Sequence, residues 1–173
     1  MKQETSLDDV IVGVLKSCQL NQSYENEQRD LQPHIETIIA ETLNDKFPRR
    51  FELVRSIGLG SPKPSIKIFG TSFWPDLEIR QIGGPAVVGI EVKYARTSKE
   101  VSKAVAESLG QAVIYRLRYV TTIAFVLCRD RRIPASDELQ NRFDAQLLQQ
   151  GIRLIVRETR AEVAAEQEAG ADR

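Results

Sequence analysis

Apolar positions recur at helical spacing from near the start of the chain. Val10, Ile11, Val14 and Leu15 follow Ser6-Leu7-Asp8-Asp9, a capping box with Asp in place of Glu or Gln, which predicts a helix over 7–20. Residues 21–29 are polar and without period, so they predict a loop or a weak helical extension. A second stripe, Leu31, Ile35, Ile38, Ile39 and Leu43, has Asp30 to cap it and Pro33 in its first turn, and predicts a helix ending near Phe47-Pro48. The period then changes. Stretches 50–57, 65–69 with 73–80, and 86–94 have strand character and are separated by Gly58-Leu59-Gly60-Ser61-Pro62 and Gly83-Gly84-Pro85, as in an antiparallel meander. A long helix over 98–118 precedes Thr121–Cys128, an apolar run typical of a strand buried on both faces. Ala135-Ser136-Asp137 starts a further helix through Gln149, Gly151 ends it, and 152–156 is a last strand. This order predicts an α/β sandwich around a mixed central sheet flanked by helices. One domain spans 1–160, and 161–173, Ala- and Glu-rich with little to bury, predicts a frayed or disordered tail.

Composition narrows the partners. With 42% hydrophobic and 28% charged residues and no apolar run near the length of a membrane span, the chain reads as soluble. The acidic, polar start, Met1-Lys2-Gln3-Glu4, lacks a basic region followed by an apolar core, and predicts a cytoplasmic protein. Net charge is zero, so nucleic acid would be met by local basic patches and not by bulk electrostatics. Cys18 and Cys128 stand far apart without neighbouring His or Cys, which suggests reduced thiols and neither a zinc site nor a disulfide framework.

The candidate chemistry lies on two consecutive strands. In Phe73-Trp74-Pro75-Asp76-Leu77-Glu78-Ile79-Arg80, Leu77 and Ile79 share one face and Asp76, Glu78 and Arg80 the other; in the next strand Ile90 and Val92 oppose Gly89, Glu91 and Lys93. Each strand alone reads as amphipathic with a solvated charged face. Together they read differently, because the short Gly-Gly-Pro connection makes them neighbours and lets Asp76 approach Glu91. Like charges brought close are costly unless a cation neutralises them. Lys93 supplies one positive charge, a divalent metal would supply two more, and Gly89 would leave room for a ligand or phosphate. On the second helix Glu36 lies about 100° from Ile35, on the shoulder of the apolar stripe, and can face the body of the protein; Glu41 should face water.

Pro75-Asp76 followed by Glu91-Val92-Lys93 resembles the PD-(D/E)xK nuclease superfamily, whose restriction-endonuclease-like core has the order αβββαβ, an order that residues 31–128 offer. The resemblance implies Mg²⁺-dependent hydrolysis of DNA, with Mn²⁺ as a substitute, by an endonuclease of defence or of repair and recombination, although the residues do not separate internal from end-dependent cleavage. In it Asp76, Glu91 and the carbonyl of Val92 hold the metal, Lys93 orients or deprotonates a water, and Glu36 binds a second metal or its water. Gln111 positions the metal shell or the substrate strand. Gln111-Ala112-Val113-Ile114-Tyr115 matches the Gln-x-x-x-Tyr pattern of the exonuclease-like branch, whereas His34 is better explained as a first-turn residue than as that branch's helix His. Candidates for a phosphate-binding rim are Arg49, Arg50, Arg55, Lys63, Lys67, Lys99, Lys103, Arg129, Arg131 and Arg132. Phe73 and Trp74 read first as core and second as base-stacking residues. There is no helix-turn-helix or zinc-finger signature, so specificity would come from loops, a homodimer or a partner protein. Two other readings stay open: a nuclease-like module that has lost catalysis and binds nucleic acid or protein, and a plain α/β adaptor in which the motif is coincidence.

Overall fold

The computed structural model describes residues 5–20, 24–55, 66–129 and 137–159. The sequence-predicted tail therefore lies outside the described residues. Helix α1, Leu7–Ser17, starts where the capping box predicts: Ser6 Oγ accepts from the Asp9 N–H. At its other end Arg157 donates to the carbonyls of Leu15 and Cys18, satisfying groups that a helix terminus leaves open. The second helical segment departs from expectation. A single π-helical turn, Glu27–Leu31, precedes α2, Gln32–Lys46, and is capped by Asn26 and not Asp30, since the Asn26 side chain accepts from the Gln28 and Arg29 N–H groups. Asp30 instead accepts backward from the Glu25 and Asn26 N–H groups.

Strands β1 (Phe51–Arg55), β4 (Leu77–Gln81), β5 (Ala86–Ala95), β6 (Thr121–Cys128) and β7 (Ile152–Glu158) form one five-stranded sheet in the order β1-β4-β5-β6-β7. The first three are antiparallel neighbours, and β5, β6 and β7 run parallel through the crossover helices α3 (Ser98–Tyr115) and α4 (Glu138–Gln149). The α/β class and the mixed sheet are as predicted. The meander differs in one respect: among the described residues β2 (Ile66–Ile68) and β3 (Thr71–Phe73) pair only with each other, as a separate hairpin.

The sheet lies between two helical layers. Ile11 and Leu15 of α1 and Ile35 and Ile39 of α2 pack on Leu77, Ile79, Val88, Ile90, Val92, Ile123 and Phe125. The opposite face meets α3 and α4 through smaller clusters, Ala95, Val101, Ala104 and Val126 in one, Ala112, Ala124 and Leu147 in the other. β6 is buried on both faces, as its unbroken apolar run requires. Gly151, with φ of 71°, ends α4 and turns the chain into β7. Among the described residues no helix is long and apolar enough to cross a membrane. Cys18 and Cys128 are not joined in a disulfide.

Candidate active site

The site forms where β5 outruns its neighbour. Leu77 pairs with Ile90 and Glu78 with Gly89, so the same register continued by one residue sets Asp76 across from Glu91. Beyond that point β4 no longer covers β5, and carboxylates replace it. Asp76 Oδ2 accepts from the Val92 N–H at 2.8 Å, and Glu27 Oε2 accepts from the Tyr94 N–H at 2.8 Å. Because the N–H and C=O of one strand residue point to the same side, the Val92 carbonyl opens toward Asp76 as well.

Glu91 faces α3, not solvent, and is buried. Lys93 Nζ stands 2.6 Å from Glu91 Oε1 and 3.8 Å from Glu27 Oε1. On the other side of Glu91, the Tyr115 hydroxyl lies 2.9 Å from Oε2 and 2.7 Å from the Trp74 carbonyl oxygen. A phenol has one proton to donate and here faces two acceptors. When Tyr115 donates to Trp74, a proton on Glu91 completes the second contact.

Electrostatics favour that proton. Burial, and then the nearby Asp76, push Glu91 up to about 7 against the pull of Lys93 and Tyr115. A rise from 4.5 to about 7 is worth about 3 kcal/mol against the charged form. Burial also raises Asp76, opposed by the Val92 N–H, Lys93, Gln32 and Arg55. The Gln32 amide thus lies against Asp76, although Nε2 of this buried residue reaches no acceptor at hydrogen-bonding distance. Glu27 is raised as well, by burial with Asp76 and Glu107 adding to it, while Lys93 and the Tyr94 N–H oppose. For Lys93 burial acts downward, but Glu91, Glu27 and Asp76 carry it above the usual range. Among the described residues Lys93 is the cation these three carboxyls share, and Arg55 acts on Asp76 beside it.

Two expectations change. Glu78, on the face that the alternation of its strand alone assigns to solvent, is fully buried, accepting from the Tyr119 hydroxyl and paired with Arg80. The space over Gly89 is filled by the Tyr119 ring and offers no room for a phosphate: a Cβ there would stand 2.9 Å from Tyr119 Cδ2. Glu36 pairs with Arg55 at 3.4 Å, and Arg55 in turn acts on Asp76. The acidic residue that the preceding helical segment does bring to Lys93 is Glu27. Its stretch has no hydrophobic period, and the one available signal was Asn26 as a cap three residues before polar Arg29.

Gln111 lies one turn before Tyr115 on α3, and its Oε1 is shielded from solvent with no hydrogen-bond partner among the described residues. His34 contacts the Gln19 carbonyl and the Tyr24 ring, and Glu41 is exposed as expected. Of the proposed rim, Arg50 stacks on Phe47 and Phe51, Lys103 pairs with Glu107, and Arg49, Lys67, Lys99 and Arg129 are at the surface. Lys63, Arg131 and Arg132 lie outside the described residues. Phe73 is half-buried, whereas Trp74 is exposed.

Among the described residues no three His, Cys, Asp or Glu side chains converge as a ready metal cage. Mg²⁺ does not require one, since it commonly binds one or two carboxylates and keeps several waters. Two hard oxygen ligands whose proton affinity is raised by burial, and for Glu91 also by the nearby Asp76, beside an open backbone carbonyl, fit that ion. Comparison of the chain with protein-family models, with curated proteins and with solved structures finds no match.

Proposed function

We propose that the chain is a metal-dependent DNA nuclease of the PD-(D/E)xK type, with Asp76, Glu91 and Lys93 as its catalytic residues. The observation that carries this reading is the convergence of Asp76 and Glu91 at the point where β4 leaves β5, with Lys93 at 2.6 Å from Glu91. The element order α2, β1, β4, β5, α3, β6 agrees with the αβββαβ core of that superfamily. Asp76, Glu91 and the Val92 carbonyl would hold Mg²⁺ or Mn²⁺, with Glu27 in the outer shell where Glu36 was expected. When bound, such a cation neutralises charge on a phosphodiester and makes water a better nucleophile.

The chain's own groups do the rest. Lys93, held between Glu91 and Glu27, would orient the attacking water or meet charge developing on the phosphate. Tyr115 holds Glu91 in place by its hydroxyl, and Glu27 keeps Lys93 near the open edge. Gln111 has an unused acceptor for a metal-shell water or a substrate donor. The test is cleavage of linear, circular, single-stranded and branched DNA with Mg²⁺. Asp76→Asn and Lys93→Ala should each lower the rate by about 10²-fold or more. Equal cleavage by parent and variants rejects the assignment. Mn²⁺ titration separates the catalytic reading from a binding module that has lost catalysis: heat of binding that vanishes in Asp76→Asn supports the first, and no heat in the parent supports the second.

A further inference from the structure

The β2–β3 hairpin places a bulky ring where the backbone is least suited to one. Phe69 and Gly70 form its two-residue turn with φ of 49° and 79°, the positive pair that type I′ turns require and that Asn-Gly fills without strain. A bulky residue with positive φ is a genuine outlier. Phe69 is also fully exposed, the most exposed large apolar side chain among the described residues. Nothing within the hairpin explains either property, since its pairs, Ile66 with Phe73 and Lys67 with Ser72, hold without the Phe69 ring. Strain and exposure combined on one residue point to a contact outside the chain.

The hairpin's attachment suggests what that contact is. β3 packs against α3, the helix that supplies Tyr115, and the Tyr115 hydroxyl touches both the Trp74 carbonyl and Glu91. From Phe69 the chain runs through β3, Trp74 and Pro75 directly into Asp76. That path spans at most roughly 25 Å, a few nucleotides of strand. Lys67 is exposed beside the tip, and Trp74 is 39% exposed at the base. Aromatic rings with an intervening cation along one ribbon match what an unpaired strand offers, base faces to stack on and phosphates to neutralise.

We propose that Phe69 stacks on an unpaired base and that the hairpin is a wedge at a single-strand to duplex boundary. The substrate class is then a forked or branched DNA and not an uninterrupted duplex. This rests on the nuclease reading of the adjoining site. A protein partner fits less well, because one ring among Lys67, Thr71 and Ser72 is far below the area of a stable interface.

The test uses the full chain carrying Asp76→Asn, so that DNA is bound but not cut, with 2-aminopurine at the junction of a forked DNA and a linear duplex as reference. The fork should bind more tightly and its 2-aminopurine emission should be quenched by stacking. Adding Phe69→Ala should weaken fork binding by roughly tenfold, the order of one base stacked on an aromatic ring, and release the quenching. Phe69→Trp should keep both. Fork affinity and emission unchanged by Phe69→Ala would overturn the wedge and leave the nuclease reading standing, whereas failure to bind either DNA overturns the nuclease reading with it. A change in sedimentation of the DNA-free protein on Phe69→Ala, without a change in DNA binding, would assign the ring to self-association and also overturn the wedge.

Discussion

At Glu91 a carboxyl is buried between an ammonium and a phenol, and its proton carries a consequence for stability. Its pKa is near 4.5 in the unfolded chain and about 7 when folded. Between those values the folded state keeps a proton that the unfolded state has released, so stability falls as pH rises through that window. Asp76 is raised too and acts in the same direction. Urea unfolding without divalent ions should therefore show this site favouring the fold at pH 5 over pH 7.5, by up to about 3 kcal/mol. Glu91→Gln should flatten the dependence, and Mg²⁺ at pH 7.5 should restore stability. Phe69 gives the opposite kind of prediction. Replacing it by Asn suits the positive φ and should raise stability by about 0.5–1 kcal/mol in thermal unfolding, while fork binding weakens as it does in Phe69→Ala.

The connection after α3 and strand β5 meet through a fit with little slack. Tyr119 lies over Gly89 with its hydroxyl on the buried Glu78, so the ring cannot retreat without giving up that hydrogen bond. Gly89→Ala should cost about 1–3 kcal/mol in urea unfolding, with the midpoint shifted and the slope unchanged. Elements defined by neighbouring residues could be read in advance. The Ser6 cap, the buried run of β6 and the turn at Gly151 each depend on a few consecutive positions. What could not be read depends on distant partners. Glu27 is placed by a hydrogen bond to Tyr94, 67 residues away in sequence, and by a π-helical turn that has no apolar period. Glu78 has the alternation of a solvated strand residue, and Tyr119, from the connection between α3 and β6, covers it. The approach of Asp76 to Glu91 was legible because Asp76 leads directly into β4, which a short connection joins to β5, whereas the Arg55 that Glu36 pairs with comes from another strand.

In the whole molecule the antiparallel and parallel halves of the sheet join along β5, and the candidate site occupies that seam. Its chemistry and the sheet's completeness depend on the same groups. Past Ile90, strand β5 has no neighbouring strand on the β4 side among the described residues, and Asp76 and Glu27 take the N–H groups that a further strand would have used. These two carboxylates therefore also act as a guard against strand addition, because unpaired N–H groups in extended backbone are a template for another chain. The usual way to silence a nuclease, acid to alanine, would then do two things at once. Asp76→Ala should aggregate faster on mild heating, followed by light scattering, than Asp76→Asn, which retains a side-chain oxygen to accept from Val92. An insoluble alanine variant would in that case report an opened sheet edge, and the loss of a reacting group would have to be measured in the amide.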